Sequence, residues 1–226
     1  MDRNINLEDI SDGKLYGSND MVKADCNDCK GCFACCQGMG NSIVLDPLDI
    51  YRLTTGLHVT FESLLVDKLE LNVVEGIILP NLKMAGAQET CAFLNDEGRC
   101  SIHSKRPGIC RIFPLGRLYE NGEFHYFLQV HECKKQNRTK VKVKKWIDTP
   151  DITRNEQFIN RWHYFLKGIS GQLPGCSDDT VKAINMQVLQ MFFMTPYPEN
   201  TDFYEEFESR VSVAEQWISE MLTRSK

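Results

Sequence analysis

The chain has 226 residues, 42% of them hydrophobic and 25% charged, which is the composition of a globular protein that can bury its own core. Its formal net charge of −5 excludes the strongly basic surface of a general nucleic-acid binder, so no nucleic-acid partner is expected. Because the N-terminus is polar and has no apolar run, we expect no signal peptide there, and apolar stretches such as Leu71 to Pro80 are far shorter than a membrane span. We therefore expect a cytoplasmic protein with no membrane partner.

The ten cysteines are the most unusual feature of the composition. Disulfides are rare in a reducing cytosol, and a chain of this length does not need them to support a thin core. Metal ligation is therefore the predicted role of most of these thiols.

The first predicted elements in chain order are an arm, two helices and a strand. Residues 1–25, rich in Asp, Asn, Lys and Gly, predict a flexible N-terminal arm. Asp46 followed by Pro47 predicts a helix start, because Asp caps helices and Pro is accepted in the first turn. Thr60 predicts a second helix start, and the β-branched run 71–79 predicts a strand.

Two hairpins are predicted next. The turn residues 96–98 lie between Cys91 and Cys100, so this hairpin would bring the two thiols together. Asn121 and Gly122 predict the turn of the second hairpin.

The last third of the chain is predicted to be helical. Thr153 with Glu156 resembles a capping box, Ser177 predicts another helix start, and apolar residues at helical spacing predict a final helix over 202–222.

These elements predict an α+β fold, in which small antiparallel hairpins and cysteine-rich metal loops pack against a mainly helical C-terminal part. The predicted divisions are the arm at 1–25, a cysteine-cluster metal-binding domain at 26–150 and the helical part at 151–226.

The first cysteine cluster places five thiols within eleven residues. A two-residue spacing lets a tight turn direct two sulfurs to one ion, as in zinc ribbons and ferredoxin-type clusters. The adjacent Cys35 and Cys36 point in diverging directions, so either they serve two metals or one binds metal while the other packs. The cluster comprises Cys26, Cys29, Cys32, Cys35 and Cys36.

The second cluster comprises Cys91, Cys100, Cys110 and Cys133. Setting aside Cys26 and the distant Cys176 leaves eight of the ten thiols, enough for two four-ligand sites or for one cluster with thiols left over. We expect Cys176 to pack as a small apolar residue. His103 is either a ligand that completes a Cys₃His site or a histidine that only supports the ligands.

Basic residues surround the cysteines. Arg106 and Arg111 bracket Cys110, and they either donate hydrogen bonds to the metal ligands or bind an anion. The lysine-rich segment 134–145 predicts an exposed edge strand more readily than a surface for a nucleic acid or an acidic partner. The polar residues that we consider for the lining of a pocket are Tyr51, His103, Arg106, Arg111 and His131.

Two motifs give the sequence a resemblance to a known family. The run from Cys29 to Cys36 has the CxxCxxCC signature of zinc- or iron-chelating domain proteins, and the run from Cys91 to Pro114 is similar to that family's second motif. The resemblance covers roughly residues 26–135, and Cys26 and His103 depart from the family pattern. It implies that the metal-linked cysteines are Cys29, Cys32, Cys35, Cys36, Cys91, Cys100, Cys110 and Cys133.

The resemblance leaves the activity open. Flagellin lysine N-methylases are related to this family, which implies S-adenosylmethionine as cofactor and a protein substrate if the chain is methylase-like. The leading prediction is a metal protein containing zinc or iron, the latter as an ion or an iron-sulfur cluster. The alternative is a zinc-stabilised interaction module without catalytic activity. The spacing suits zinc and iron equally, so the sequence does not decide whether the protein is an enzyme.

Overall fold

The fold is α+β, as predicted, and the computed structural model describes residues 7–26, 32–135 and 137–224. In chain order, the first part contains α1 (Leu7–Ile10), β1 (Ser11–Tyr16), β2 (Met21–Asp25), α2 (Pro47–Leu57), α3 (Phe61–Asp67), β3 (Leu69–Val74), β4 (Ile77–Leu82), β5 (Met84–Ala85) and β6 (Thr90–Cys91). The second part contains α4 (Gly108–Ile112), β7 (Leu115–Glu120), β8 (Glu123–Gln129), β9 (Thr139–Lys142), α5 (Val143–Ile147), α6 (Ile152–Ser170), α7 (Asp178–Leu189) and α8 (Phe203–Arg224). A π-helical turn, Gln190–Met194, continues α7.

The strands form small antiparallel sheets. The largest has the order β1-β8-β7, and the others are the pairs β2-β9, β3-β4 and β5-β6. The turn at Asn121 and Gly122 joins β7 to β8, and both residues have positive φ, as a tight hairpin turn requires. The second predicted hairpin is therefore confirmed.

Local capping chemistry explains where several helices begin. Asp46 accepts a hydrogen bond from the Asp49 amide while Asp49 accepts one from the Asp46 amide, which is a reciprocal capping box for α2. Thr60 caps α3 and Ser177 caps α7 in the simpler one-sided manner. These three predicted helix starts are confirmed.

Three local predictions need correction: the single strand at 71–79, the cap of helix α6 and the N-terminal arm. The run 71–79 is split by a turn at Glu75 and Gly76, both with positive φ, so it belongs to the hairpin β3-β4 instead of one strand. Helix α6 is capped by Asp151, whose side chain accepts from the Arg154 amide, so Thr153 lies inside the first turn.

The N-terminal segment is also more ordered than an arm. Residues 11–25 form β1 and β2, which pair with β8 and β9. In β2 the side chains of Val22 and Ala24 are almost completely buried, and this alternation anchors the strand.

One large apolar core crosses the predicted division at residue 150. Leu45, Leu53 and Leu79 from the first part pack in the same buried cluster as Trp162 and Phe207 from the C-terminal helices. A smaller cluster lies beneath β2, β8 and α5 and is made of Val22, Ala24, Ile112, Leu115, Tyr126, Leu128, Val143 and Ile147. The cysteine-bearing loops therefore rest on a scaffold that the helices share.

Candidate metal centre

Short loops position the thiols of the second motif. Cys91 ends β6, and Leu94 and Cys100 form an isolated antiparallel bridge closed by a hydrogen bond from the Asn95 amide to the Arg99 carbonyl (2.9 Å). The first predicted hairpin is thus much shorter than expected, and Cys91 pairs with Met84 across β5-β6.

The first motif is fastened to the second. A helical turn, Ala34–Cys36, carries two of its thiols, and the bridge between Gln37 and Thr90 joins the end of that turn to β6. The Phe33 ring lies against Gly98, where an added Cβ would approach it to 2.9 Å, and the φ of Gly98 is +70°. Only glycine suits this position, so the contact specifies how the two motifs meet.

The two motifs share the wall of one large cavity of about 850 Å³. The cavity also reaches Trp162 and Ile159 of α6, so the helical part contributes an apolar side. Cys32, Cys35, Cys36, Cys91, Cys100 and Cys110 line it.

The thiols influence one another's ionisation. A hydrogen bond from the Cys36 thiol lowers the pKa of Cys35 to about 7, and the Arg106 guanidinium assists this shift while burial opposes it. The same hydrogen bond and burial raise the pKa of Cys36, as do the nearby Cys91 and Cys100. Cys35 is therefore more easily converted than Cys36 to the thiolate, which is the form that binds metals.

Burial dominates the pKa shifts of Cys91, Cys100 and Cys110. It raises the pKa values of Cys91 and Cys100, and it raises that of Cys110 well above the usual range. The Asp49 carboxylate and the thiols of Cys91, Cys35 and Cys100 add to the effect at Cys110. A bound cation would favour the ionised form of all these thiols.

Arg106 and Arg111 have different roles, although both bracket Cys110. Arg111 is buried, and its guanidinium donates to the carbonyls of Arg106, Ser104 and Asp148, so it holds the loop together. Arg106 lines the cavity, and its Nη1 contacts the ring of His103. Its buried Nε has no hydrogen-bond partner among the described residues.

The remaining predicted cysteines are distributed as follows. Cys26 and Cys133 lie at a second, much smaller cavity, which Cys32 and Cys35 also line. Cys29 lies outside the described residues. Cys176 lines neither cavity, and its thiol donates to the Gln172 carbonyl (3.2 Å). Within residues 7–26, 32–135 and 137–224, no three histidine, cysteine or acidic side chains converge as they would around a metal ion.

The donor set nevertheless suits zinc or iron. Clustered thiols are the preferred ligands of structural zinc and of iron-sulfur clusters, and the described ones share two adjoining cavities. Neighbouring arginines supply positive charge that would offset several thiolates.

Other polar residues of the large cavity were missed by the sequence analysis. Asp46 was recognised only as a helix-start signal, yet it lines the cavity, as do Asp49, Arg117, Tyr119 and His163. Of the pocket candidates, His103 and Arg106 lie there, whereas Tyr51 stacks on Phe203 and His131 is exposed. No sequence signal marks Arg117, which is brought to the site by the β7-β8 hairpin.

None of the helices within the described residues combines the length and apolar character needed to cross a bilayer.

Comparison with known proteins identifies the family. The profile of the family described as "CxxCxxCC: Putative zinc- or iron-chelating domain" matches residues 28–163, more than half of the chain. Searches of curated proteins and of solved structures found no match. The matched range includes all the thiols of both cavities except Cys26. On this match, the chain belongs to the CxxCxxCC family of zinc- or iron-chelating domains.

Proposed function

We propose that thiols of both cysteine motifs hold zinc or iron at the wall of the large cavity and that the metal serves chemistry on a ligand bound there. The observation that carries this proposal is that Cys35 and Cys36 of one motif line the same cavity as Cys91, Cys100 and Cys110 of the other. The proposed ligands are Cys29, Cys32, Cys35, Cys36, Cys91, Cys100, Cys110 and Cys133, and Cys26 and His103 are candidates for additional ligands.

The number of thiols favours iron over zinc. A single zinc ion takes four ligands, and the paired spacing of zinc ribbons does not include adjacent cysteines such as Cys35 and Cys36. An iron-sulfur cluster is also ligated by thiolates, and the large cavity offers space beside them. We therefore favour an iron-containing centre, with zinc as the alternative metal.

The cavity supports a catalytic role. Its volume of about 850 Å³ is in the range that holds organic ligands, and its apolar walls carry a few convergent polar groups, including Asp46, Arg117 and Tyr119. A methylase-like reaction is the catalytic candidate. In such a reaction a methyl group would pass from the sulfonium of S-adenosylmethionine to a protein lysine amine, which loses a proton, and S-adenosylhomocysteine would leave.

A zinc-stabilised interaction module is the second candidate. Where the structure describes them, the thiol-bearing segments contain little regular structure beyond the two-residue strands β5 and β6 and single helical turns. Such segments gain much of their order from a bound metal, which needs no catalytic role.

The test is anaerobic purification of the full chain followed by metal analysis and an absorption spectrum. We expect bound iron or zinc in the wild type, a large loss in Cys100→Ser, and no loss in Cys176→Ser, whose thiol lines neither cavity. Visible absorption from thiolate-to-iron charge transfer would indicate iron. A colourless protein with bound metal would instead indicate zinc, which is a d¹⁰ ion. Equal metal content in Cys100→Ser and Cys176→Ser would contradict the proposal.

Calorimetry with S-adenosylmethionine separates the two candidates. Saturable binding that Arg117→Met weakens is expected for an enzyme that uses the cavity. No binding to the metal-loaded protein would exclude the methylase-like reaction and favour the interaction module.

A further inference from the structure

The large cavity contains two oppositely charged side chains that do not pair with each other. Asp46, the cap of α2, and Arg117 of β7 both line it. Arg117 Nη2 and Asp46 Oδ2 each lie 3.9 Å from the position that a Cβ on Gly108 would occupy, so they are less than twice that distance apart. Among the described residues, no ion pair joins the two groups. The two charges are therefore close enough to hold one small polar group between them.

Asp46 keeps one carboxylate oxygen available to a ligand. Its Oδ1 accepts the capping hydrogen bond from the Asp49 amide at 2.8 Å, whereas Oδ2 accepts none from the residues that the structure describes. Both oxygens of the neighbouring Asp49 are engaged, because Oδ1 accepts from the Gly108 amide (2.7 Å) and Oδ2 from the Asp46 amide (3.2 Å). Of these two carboxylates, Asp46 thus offers the available acceptor.

Arg117 supplies the complementary donors. Its buried Nε has no hydrogen-bond partner within the described ranges, and native structures normally give such a charged donor an acceptor, because leaving it unsatisfied is costly. Burial raises the pKa of the neighbouring Tyr119, so that hydroxyl stays neutral and does not compensate the guanidinium charge. A carboxylate is a well-matched partner, since it can accept two parallel hydrogen bonds from a guanidinium.

The charge of Asp46 is not fully compensated by its surroundings. Burial and the Asp49 carboxylate raise its pKa, although the Arg117 and Arg52 guanidinium groups act in the opposite direction. An ammonium group at Asp46 Oδ2 would favour the ionised carboxylate, because a nearby opposite charge stabilises that form. The site therefore suits a ligand that brings a positive charge to Asp46 and a negative charge to Arg117.

Regular elements hold both charged side chains in place. The capping box fixes Asp46 at the start of α2. The β7-β8 hairpin carries Arg117 opposite Tyr126, and the turn of this hairpin is tied to α6 because the Gly122 amide donates to the Tyr164 hydroxyl (3.0 Å). Sites built on helices and strands keep their geometry better than sites on loops, so the fold itself sets the spacing of the two charges.

We infer that this end of the cavity binds the α-amino acid group of a ligand, with Asp46 Oδ2 accepting from its ammonium and the Arg117 guanidinium donating to its carboxylate. An α-amino acid carries both charges on one carbon, so it fits between two opposite charges that are held a short distance apart. The inference rests on the proposed function, because it takes the large cavity as the site of the ligand.

Two kinds of ligand carry this group. S-adenosyl compounds end in the amino acid group of methionine, and a free apolar α-amino acid presents the same group alone. Apolar residues such as Phe93 and Trp162 line other parts of the cavity, so the remainder of either ligand would meet apolar walls. The volume of about 850 Å³ accommodates both kinds, and binding measurements distinguish them.

Calorimetry on the anaerobically purified full chain, with metal content measured on the same sample, tests the inference. The probes are S-adenosylhomocysteine, L-methionine and 5′-methylthioadenosine, which has the same nucleoside and sulfur but no amino acid group. We expect S-adenosylhomocysteine to bind at least roughly 10-fold more tightly than 5′-methylthioadenosine, because only the former makes the charge-assisted hydrogen bonds. Binding of L-methionine without tighter binding of S-adenosylhomocysteine would assign the site to a free amino acid.

Two variants with matched controls locate the amino acid group. Asp46→Asn, which keeps a capping oxygen, and Arg117→Met should each weaken binding of the amino acid ligand by roughly 10- to 100-fold and leave 5′-methylthioadenosine unaffected. Asp151→Asn alters a helix cap that does not line the cavity, and Arg154→Met removes an arginine that does not line it, so neither should change binding.

Several results would overturn the inference while leaving the metal proposal intact. These are S-adenosylhomocysteine binding no more tightly than 5′-methylthioadenosine in a chain that does not bind L-methionine, no binding of any probe to the metal-loaded chain, or equal effects of the variants and their controls. A metal-free wild-type chain that still binds the amino acid group would overturn the proposed function and keep the inference. A metal-free chain that binds no probe would overturn both.

Discussion

Asp49 Oδ1 accepts a hydrogen bond from the Gly108 amide at 2.7 Å and so ties helix α2 to the start of α4, which carries Cys110. The same carboxylate also completes the capping box with Asp46, and the Asp49 side chain is almost fully buried. One carboxylate therefore joins a helix start to a thiol-bearing segment that lies far away in sequence.

Removal of this link should destabilise the protein and disturb Cys110. We expect Asp49→Ala to lower the free energy of unfolding by roughly 2–4 kcal/mol, because it leaves the half-buried Gly108 amide without its acceptor and removes part of the cap. Urea unfolding measures the loss. Asp49→Asn keeps an acceptor and should retain more of the stability. An Asp49→Ala chain as stable as the wild type would contradict this role.

Asp46 should make the stability depend on pH. Burial and the neighbouring Asp49 carboxylate raise its pKa from 3.8 to about 8. The folded chain thus holds this proton more tightly than the unfolded one. The stabilising contribution is fully present below about 3.8 and is lost as the pH rises towards about 8.

Asp46→Asn isolates this effect, because Asn can still accept the hydrogen bond that caps α2. We expect the wild type to lose stability relative to Asp46→Asn as the pH is raised from about 4 to about 8. Urea midpoints of both proteins at several pH values give the difference. Parallel curves across this interval would show that Asp46 does not titrate as described.

His103 should contribute little to metal retention. Its ring is in contact with the Arg106 guanidinium, which competes with a metal for the imidazole nitrogens. We expect His103→Ala to keep most of the metal, whereas Cys100→Ser loses a large share. A loss at His103 as large as that at Cys100 would make the histidine a ligand and shift the balance from iron to zinc.

Chelation should loosen the thiol-bearing loops and spare the helices. The loops around Cys91 and Cys100 have little regular structure, whereas Trp162 and Phe207 pack in the buried aromatic core. We expect faster hydrogen exchange at residues 90–110 in the metal-free chain and unchanged protection in α6 and α8. Unchanged protection of residues 90–110 would mean that the metal does not order these loops.

The C-terminal part offers a stability test that is independent of the metal. The buried Arg210 donates to the carbonyls of Met191, Thr195 and Pro196 and so holds the π-helical turn after α7. We expect Arg210→Met to cost roughly 2–4 kcal/mol without changing metal content, because several buried acceptors lose their donor.

Arg161→Met is the matched control for Arg210→Met. Arg161 pairs with Glu215 near the surface, so its replacement should cost at most about 1 kcal/mol. A loss of bound metal in Arg210→Met at a temperature where the chain remains folded would show that the two parts are coupled.

Local sequence signals predicted much of the fold. The remaining elements could not be predicted because they depend on pairing between distant segments. The caps at Asp46, Thr60 and Ser177 depend only on neighbouring residues, so the sequence alone located these helix starts. The pairing of β2 with β9 is decided by contacts between segments more than a hundred residues apart, which no local pattern reveals.

The candidate site, too, could be predicted only in part from the sequence. The two-residue cysteine spacing indicated which residue types bind metal, but it did not indicate which thiols share a cavity. That grouping depends on the contact of Phe33 with Gly98 and on the position of Cys133 before β9. Arg117 and His163 entered the cavity unpredicted, because they are brought there by the packing of the β7-β8 hairpin and α6.

X-ray absorption spectroscopy at the edge of the bound metal tests the central claim most directly, since it reports the atoms that contact the metal. For the anaerobically purified wild-type chain we predict a first shell dominated by sulfur at about 2.3 Å, the distance typical of thiolate ligands. A first shell made only of nitrogen and oxygen at about 2.0–2.2 Å would contradict the account, because the cysteines would then not hold the metal.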